Sequence, residues 1–524
     1  MAFRPERLGP GAIYFRPLDD LFRSNADLIQ VAEVEPQTLW TKSAAAGALP
    51  RGSSVELQRL ADLPQRKLTH GIGFPLGGTV CDQELHIAEF RRWTEGLASP
   101  WTSEHLSVLD VCGAQDVRSC GFLMPPLQTE AAVALAAKNI VRRAEAVGKP
   151  LAFETGVNYF APQRFEMLDG EFFAAVAAAA DCGILLDLAN LWVNHKNGRA
   201  KIDETLAKLP LERVWEVHLA GATFAHGYWL DAHSGGIDDG LADVAATIIP
   251  DLPNLGAIIF EMAPDRLTRF GANAFLREME RVSRLWEAAR PPAPRARQGP
   301  RPFASEHASG FDAAPSPEAW ERLLAAHMLP DRERPSQAVG GKGFDAPDER
   351  AFALYAELAA SFRRGAIADM LENCTRLLAL AIGEPSLRKL LDRYFAATPA
   401  SIYPTDEALG FRRFLEADLP ATPGLKDMLA FEASVIEAVA DSRTIEIVVA
   451  KDLAVMLEDI AAGRVPGPSS DRPPAVLEIG VDPTPFVRLV DGRLSESVKL
   501  AANIGRDRWP GLIAGGSEMA SGSV

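Results

Sequence analysis

The chain has 524 residues, of which 47% are hydrophobic and 24% charged, enough apolar material for sizeable cores and too much for a disordered chain. A formal net charge of −16 argues against nucleic-acid phosphate or an anionic membrane as partner of the whole chain, since both are bound through an excess of Lys and Arg. The five cysteines (Cys81, Cys112, Cys120, Cys182, Cys374) are scattered and never spaced as CxxC, which offers no disulfide framework and suits a reducing cytosol.

The N-terminal MAFRPERLGPGAIYFRP has no apolar signal core. No later stretch stays apolar for the roughly 18 to 20 residues a membrane helix needs, so a cytoplasmic protein is expected. From residue 12 to about 262, short apolar runs alternate with longer helical patterns, the signature of βα units on a parallel sheet. The runs are AIYFRP from Ala12, LIQVAEV from Leu28, LTHGIGF from Leu68, SEHLSVL from Ser103, LAFETG from Leu151, GILLDLAN from Gly183, VWEVHLAG from Val214 and AIIFEM from Ala257. Eight such runs close a TIM barrel. Between them, TEAAVALAAKNIVRRAEAVG has Ala, Leu and Val at helical spacing before Gly148.

Beyond the barrel, PPAPRARQGPRP can neither continue a helix nor build a core and reads as linker. The expected organisation is a (β/α)₈ barrel over 1–290, a linker over 291–340, and a smaller, mainly helical α+β domain over 341–524. In that domain ERAFALYAELAASFRRG, ADMLENCTRLLALAIG, PSLRKLLDRYFAA, LGFRRFLEADL and KDMLAFEASVIEAVAD are amphipathic helix patterns. TIEIVVA, VLEIGV and FVRLVDG alternate as short strands.

A TIM barrel places its active site at the carboxyl ends of its strands. Those ends carry His70, His105, Glu154, Asp187, His218 and Glu261, and the loop after the seventh run adds Asp231 and His233. A lone His or Asp there is usually structural. Gathered at one mouth, however, so many charged groups repel or stay unsatisfied unless cations pair them. One ion takes about three to five protein ligands, so eight imply more than one metal. Imidazole and carboxylate without thiolate suit iron, manganese or zinc. Asn158, Asn190, Asn194 and His195 follow their strands as candidate extra ligands or orienters of ligands, with Asn190 favoured. His86, His226, His307 and His327 carry no such pattern, and Cys112 and Cys120 are candidate redox thiols against the commoner reading of inert ones.

HGIGFPLGG at His70, SEHLS at His105, FETGVNYF at Glu154, LLDLANLWVN at Asp187, EVHLAG at His218, LDAHS at Asp231 and FEMAPD at Glu261 resemble, in order, the motifs of the DUF692 family. Its members are multinuclear non-heme iron-dependent oxidative enzymes, which include the methanobactin oxazolone synthase catalytic subunit. The resemblance spans about residues 10 to 290. It implies that His70, His105, Glu154, Asp187, His218, Asp231, His233 and Glu261 hold two or three iron ions (Fe2+/Fe3+), with His105, Glu154 and Asp231 as the catalytic members. The family often has a His shortly after the DxxN segment; here NHKNG places His195 earlier, which leaves a third metal open. The resemblance further implies an O2-dependent oxidation of a ribosomally made precursor peptide, commonly at cysteine. Members work with a separate protein that grips the leader peptide. The C-terminal helices, over about residues 345 to 500, are similar to that DUF2063-type partner and imply a fusion. The alternatives are a divalent-metal TIM-barrel isomerase or phosphodiesterase, and a non-catalytic peptide-binding scaffold.

Overall fold

The computed structural model describes residues 3–42, 50–80, 84–289, 314–331, 334, 348–418, 420–441, 443–467, 471–481 and 485–489. The described residues within 3–39, 52–329 and 334–355 form one compact unit, and those within 40–51, 330–331 and 356–489 form another.

The first unit is a TIM barrel. Its eight strands are Gly9–Ile13, Val31–Val34, Arg66–Gly71, Thr102–His105, Leu151–Glu154, Gly183–Asp187, Val214–Ala220 and Ala257–Glu261, each parallel to the next, the last closing on the first. Each overlaps one of the eight apolar runs. Barrel strands are buried on both faces, which is why they read as continuous apolar stretches rather than alternating ones. Leu8, Val31, Leu68, Trp101, Ala152, Leu185, Trp215, Ala257 and Ile259 fill one end of the interior. The first strand starts earlier than its apolar run because Gly11 belongs to it. A Cβ there would stand 2.4 Å from the Val31 carbonyl oxygen, so only glycine lets the first two strands approach.

Helix Glu130–Val147 is opened by Thr129, whose hydroxyl accepts the Ala132 N–H at 3.3 Å, and closed by Gly148 at φ 73°. Two hairpins interrupt the alternation after strands four and seven: Val108–Cys112 with Val117–Met124, and Ala222–Ala225 with Tyr228–Asp231. Helix Pro317–Met328 lies within the stretch that the sequence reads as linker. Trp320 packs edge-on to Phe160 and donates its Nε1–H to the Pro125 carbonyl at 2.9 Å, so Pro and Arg content marks only part of that stretch.

In the second unit, helices Glu372–Ile382, Glu384–Ala397, Pro404–Ala417, Leu425–Asp441 and Leu453–Ala461 enclose Leu377, Leu391, Tyr394, Phe411, Met428 and Met456. An antiparallel sheet of Ile445–Lys451, Asp471–Val481 and Pro485–Leu489 completes it, with the longest strand central. Among the described residues no helix is long and apolar enough to cross a membrane.

Candidate metal centre

Six of the eight expected ligands, His70, His105, Glu154, Asp187, His218 and Glu261, lie in three clusters at the strands' carboxyl ends or beside them. His70 of the third strand and His105 ending the fourth point their Nε2 atoms at one oxygen, Glu154 Oε2, at 3.1 and 3.2 Å. Their other nitrogens are engaged: His70 Nδ1 meets Ser103 Oγ at 2.9 Å and His105 Nδ1 meets the Gly71 carbonyl at 3.0 Å. Glu154, Asp187 and His218 form a second group, and Glu33, His218 and Glu261 a third. The hairpin after strand seven brings Asp231 to His233, with His233 Nε2 at 3.1 Å from Asp231 Oδ1 and 3.4 Å from Glu261 Oε2. Asp231 and His233 are thereby the seventh and eighth expected ligands to reach the mouth. His233 holds φ 45°, a backbone region costly for a residue with a Cβ and typical of functional sites.

Electrostatics follow from this crowding. Burial disfavours charge on Glu154, but the imidazoles of His105 and His70 outweigh it and hold its carboxyl well below the usual range. Burial likewise opposes ionisation of Glu261, yet His218 and His233 pull it down to about 2. Burial would lower His105; Glu154 and Glu104 raise it instead, to about 10. His70, His218 and His233 are raised by their own carboxylates against the same opposition. Asp187 is pushed far up, first by burial and then by Glu154, Glu261 and Asp231. Protons thus hold the places that cations would take.

The donor set fits metal ions. Glu154 Oε2, His218 Nδ1 and Asp231 Oδ1 are buried and have only the charged side chains beside them at 3.1–3.2 Å, without well-directed hydrogen bonds, a costly condition that a bound cation relieves. Their neighbours stand roughly 3 Å away, the spacing of ligands that share one ion at about 2.1 Å. Glu154 belongs to two of these clusters, the position of a group set between adjacent ions.

Of the four flanking residues, Asn190 is at the centre: its Nδ2 donates to Glu154 Oε1 at 3.0 Å and to Asp187 Oδ2 at 2.9 Å. Asn194 accepts the Asn158 N–H at 2.8 Å, and Asn158 accepts the Phe160 N–H at 3.0 Å, so these two fix the loop after the fifth strand. His195 lies against Trp192, outside the three clusters. Cys120 is buried and its thiol raised by desolvation, Cys112 is exposed, and the two are unbonded across their hairpin; Cys81 and His307 lie outside the described residues.

Sequence reasoning missed Glu33, Glu35, Glu104 and Glu216. Glu104 accepts the N–H groups of His105 and Phe74 at 2.9 and 3.2 Å, and burial pushes Glu35, facing His70 and Glu261, up to about 7. The legible signal was an acidic residue inside an apolar run, as in LIQVAEV and VWEVHLAG, rather than at its end.

Residues 27–285 match the model of the RiPP precursor modification enzymes MbnB/TglH/ChrH. A UPF0276 protein of Chromobacterium violaceum is 30% identical over 211 residues, 40% of this chain and 75% of that one. One from Anaeromyxobacter sp. is 33% identical over 205 residues, 38% of this chain and 70% of that one. This chain belongs to the DUF692 family. The family's members modify RiPP precursors, and this DUF692 barrel presents them with metal-capable clusters at its mouth. Among solved structures, a D-allulose 3-epimerase from Methylomonas sp. aligns with a TM-score of 0.36 at 14% identity, over 54% of this chain and 96% of that one. A D-psicose 3-epimerase from Clostridium cellulolyticum aligns at 0.38 and 9%, over 53% and 99%. Neither likeness bears on the substrate of the DUF692 chain.

Proposed function

We propose that this chain is an iron- and O2-dependent oxidative enzyme that modifies a ribosomally synthesised precursor peptide, at cysteine, and that its C-terminal domain, a DUF2063-like partner fused to the barrel, binds the leader peptide. The supporting observation is the sharing of Glu154 between the His70–His105 cluster and the Asp187–His218 cluster, which calls for two or more ions side by side, in a barrel of a precursor-modifying family. His70, His105, Glu154, Asp187, His218, Asp231, His233 and Glu261 would hold two or three irons. Bound there, iron supplies redox equivalents and Lewis acidity toward O2 and a substrate thiolate.

The protein's own part is to fix the ligands and keep the site dry. Asn190 holds the carboxylates of Glu154 and Asp187 at a set separation. Tyr159 accepts the Asp231 N–H at 3.2 Å through its hydroxyl, and its ring is backed by Tyr228 and Tyr355, a rigid aromatic wall beside the ligand loop. Rigid walls of this kind orient a peptide and lower the local dielectric, which strengthens every charge interaction in the site.

The test is metal analysis with Mössbauer spectroscopy on anaerobically purified protein, native against His105→Ala and Asp231→Ala. Two or more irons per native chain, diminished in both variants, is the expected outcome. A single zinc or manganese would instead favour the isomerase or phosphodiesterase reading, and a peptide-binding chain indifferent to both substitutions would favour a scaffold.

A further inference from the structure

Beneath the ligands, the barrel interior holds polar groups that the proposed chemistry does not use. Side chains two residues apart on a strand share a face, so Glu216 lies one layer below His218 on the seventh strand. Glu33 pairs in register with Leu68, two residues before His70, and so occupies the corresponding layer on the second strand. Glu33, Glu216, His218 and Trp101 are each 0% exposed. That layer of a TIM barrel is ordinarily filled by branched apolar side chains, and an acidic residue in it is costly unless it is paired.

The pairing is specific. Glu33 Oε1 and Oε2 lie 3.1 and 3.3 Å from His218 Nε2. Glu216 lies beside Glu33, and its Oε2 accepts the Trp101 indole N–H at 3.1 Å. On the opposite edge of the imidazole, His218 Nδ1 stands 3.2 Å from Glu261 Oε1 with no hydrogen-bond partner.

We propose that Glu33 is a positioning residue for the metal centre: it accepts the Nε2–H of His218, which fixes the tautomer and presents Nδ1 as the metal ligand, while Glu216 and Trp101 hold Glu33 in place. This rests on the metal-centre reading above. An imidazole that binds metal through one nitrogen is commonly oriented by a carboxylate on the other, which fixes the ring and raises its basicity. A different assignment, in which a carboxylate oxygen of Glu33 and Nε2 of His218 hold one ion between them, fits the same distances and makes a different forecast.

The experiment titrates ferrous iron anaerobically into the full-length native chain, Glu33→Leu and Glu33→Gln, counting sites and affinities. Leucine removes the acceptor, and one class of sites is expected to weaken by roughly 10–100-fold while the remaining sites bind as in the native chain. Glutamine keeps an oxygen for His218 and offers its amide hydrogens to Glu216, so it is expected to restore most of the lost affinity. Unchanged binding in the leucine variant overturns the proposal, and glutamine as weak as leucine marks Glu33 as a ligand and overturns it as well. Should the leucine variant not fold, long-range 15N-histidine NMR of the zinc-loaded native chain, with His218→Gln for assignment, reads the tautomer directly. A protonated Nε2 beside a metallated Nδ1 supports the proposal and the reverse refutes it. A native chain that binds neither iron nor zinc removes the metal-centre reading itself, a failure distinct from those of the variants.

Discussion

At the scale of single residues, the centre is a set of imidazoles and carboxylates that settle one another's charge. His105 has moved from 6.5 to about 10 because Glu154 and Glu104 outweigh its burial, and His70, His218 and His233 move the same way. A raised histidine contributes stability that is fully present below its unfolded value of 6.5 and is lost as pH rises through about 10 for His105. Glu261, lowered to about 2, contributes stability present above 4.5 and lost as pH falls through about 2. The metal-free barrel should therefore keep both contributions whole between pH 4.5 and 6.5 and weaken on either side. Metal ions need the neutral imidazole, so ferrous iron bound as proposed would displace these protons. Calorimetry in buffers of different ionisation enthalpy is expected to show proton release at neutral pH and an affinity that climbs with pH. An affinity flat from pH 6.5 to 8 would mean that the imidazoles do not serve as ligands.

At the scale of elements, Asp187 does two jobs at the junction of the sixth strand and helix Leu188–Lys196. Its Oδ1 accepts the Asn190 N–H at 2.8 Å as the helix N-cap, while the rest of the carboxyl faces Glu154 and His218. Asparagine caps a helix as well as aspartate does and carries no charge into the acidic cluster, whereas alanine abandons the cap. In the metal-free protein, Asp187→Ala is expected to cost about 1 kcal/mol by urea denaturation and Asp187→Asn clearly less, yet both should lose iron. Equal destabilisation by the two would separate the cap from the carboxyl oxygen. The same junction shows why strand ends were legible. A barrel strand is an apolar run, and a titratable residue at its end stands out, as Asp187, Glu154 and Glu261 do. Glu33 and Glu216 escaped because they lie within such runs, where only the pairing of two strands distant in sequence reveals that they meet. The hairpin bearing Asp231 was read as a loop for a similar reason: its strands Ala222–Ala225 and Tyr228–Asp231 are four residues each and satisfy only one another.

At the scale of the whole molecule, the barrel unit is not finished where the eighth strand's helix ends. Helix Pro317–Met328 and the start of helix Glu349–Met370, which carries Phe352 and Tyr355, return to the loop after the fifth strand. There Phe160 stacks on Tyr355 with ring centres 5.1 Å apart and meets Trp320 at 5.2 Å, while Tyr159 N–H donates to the Tyr355 hydroxyl at 3.2 Å. Tyr159 in turn holds Asp231, so this late segment reaches a candidate ligand through two hydrogen bonds. Trp320 is the largest side chain in the contact and is almost fully buried. Replacing it by alanine removes both its packing on Phe160 and its bond to Pro125, and such losses cost about 3–5 kcal/mol. Trp320→Ala in the full-length chain is therefore expected to lower the barrel's unfolding midpoint and, because the Tyr159 loop loosens with it, to reduce iron content as well. A variant that unfolds at a lower midpoint while keeping its iron would show that the segment only stabilises the barrel. One that matches the native chain in both would make the barrel complete without it.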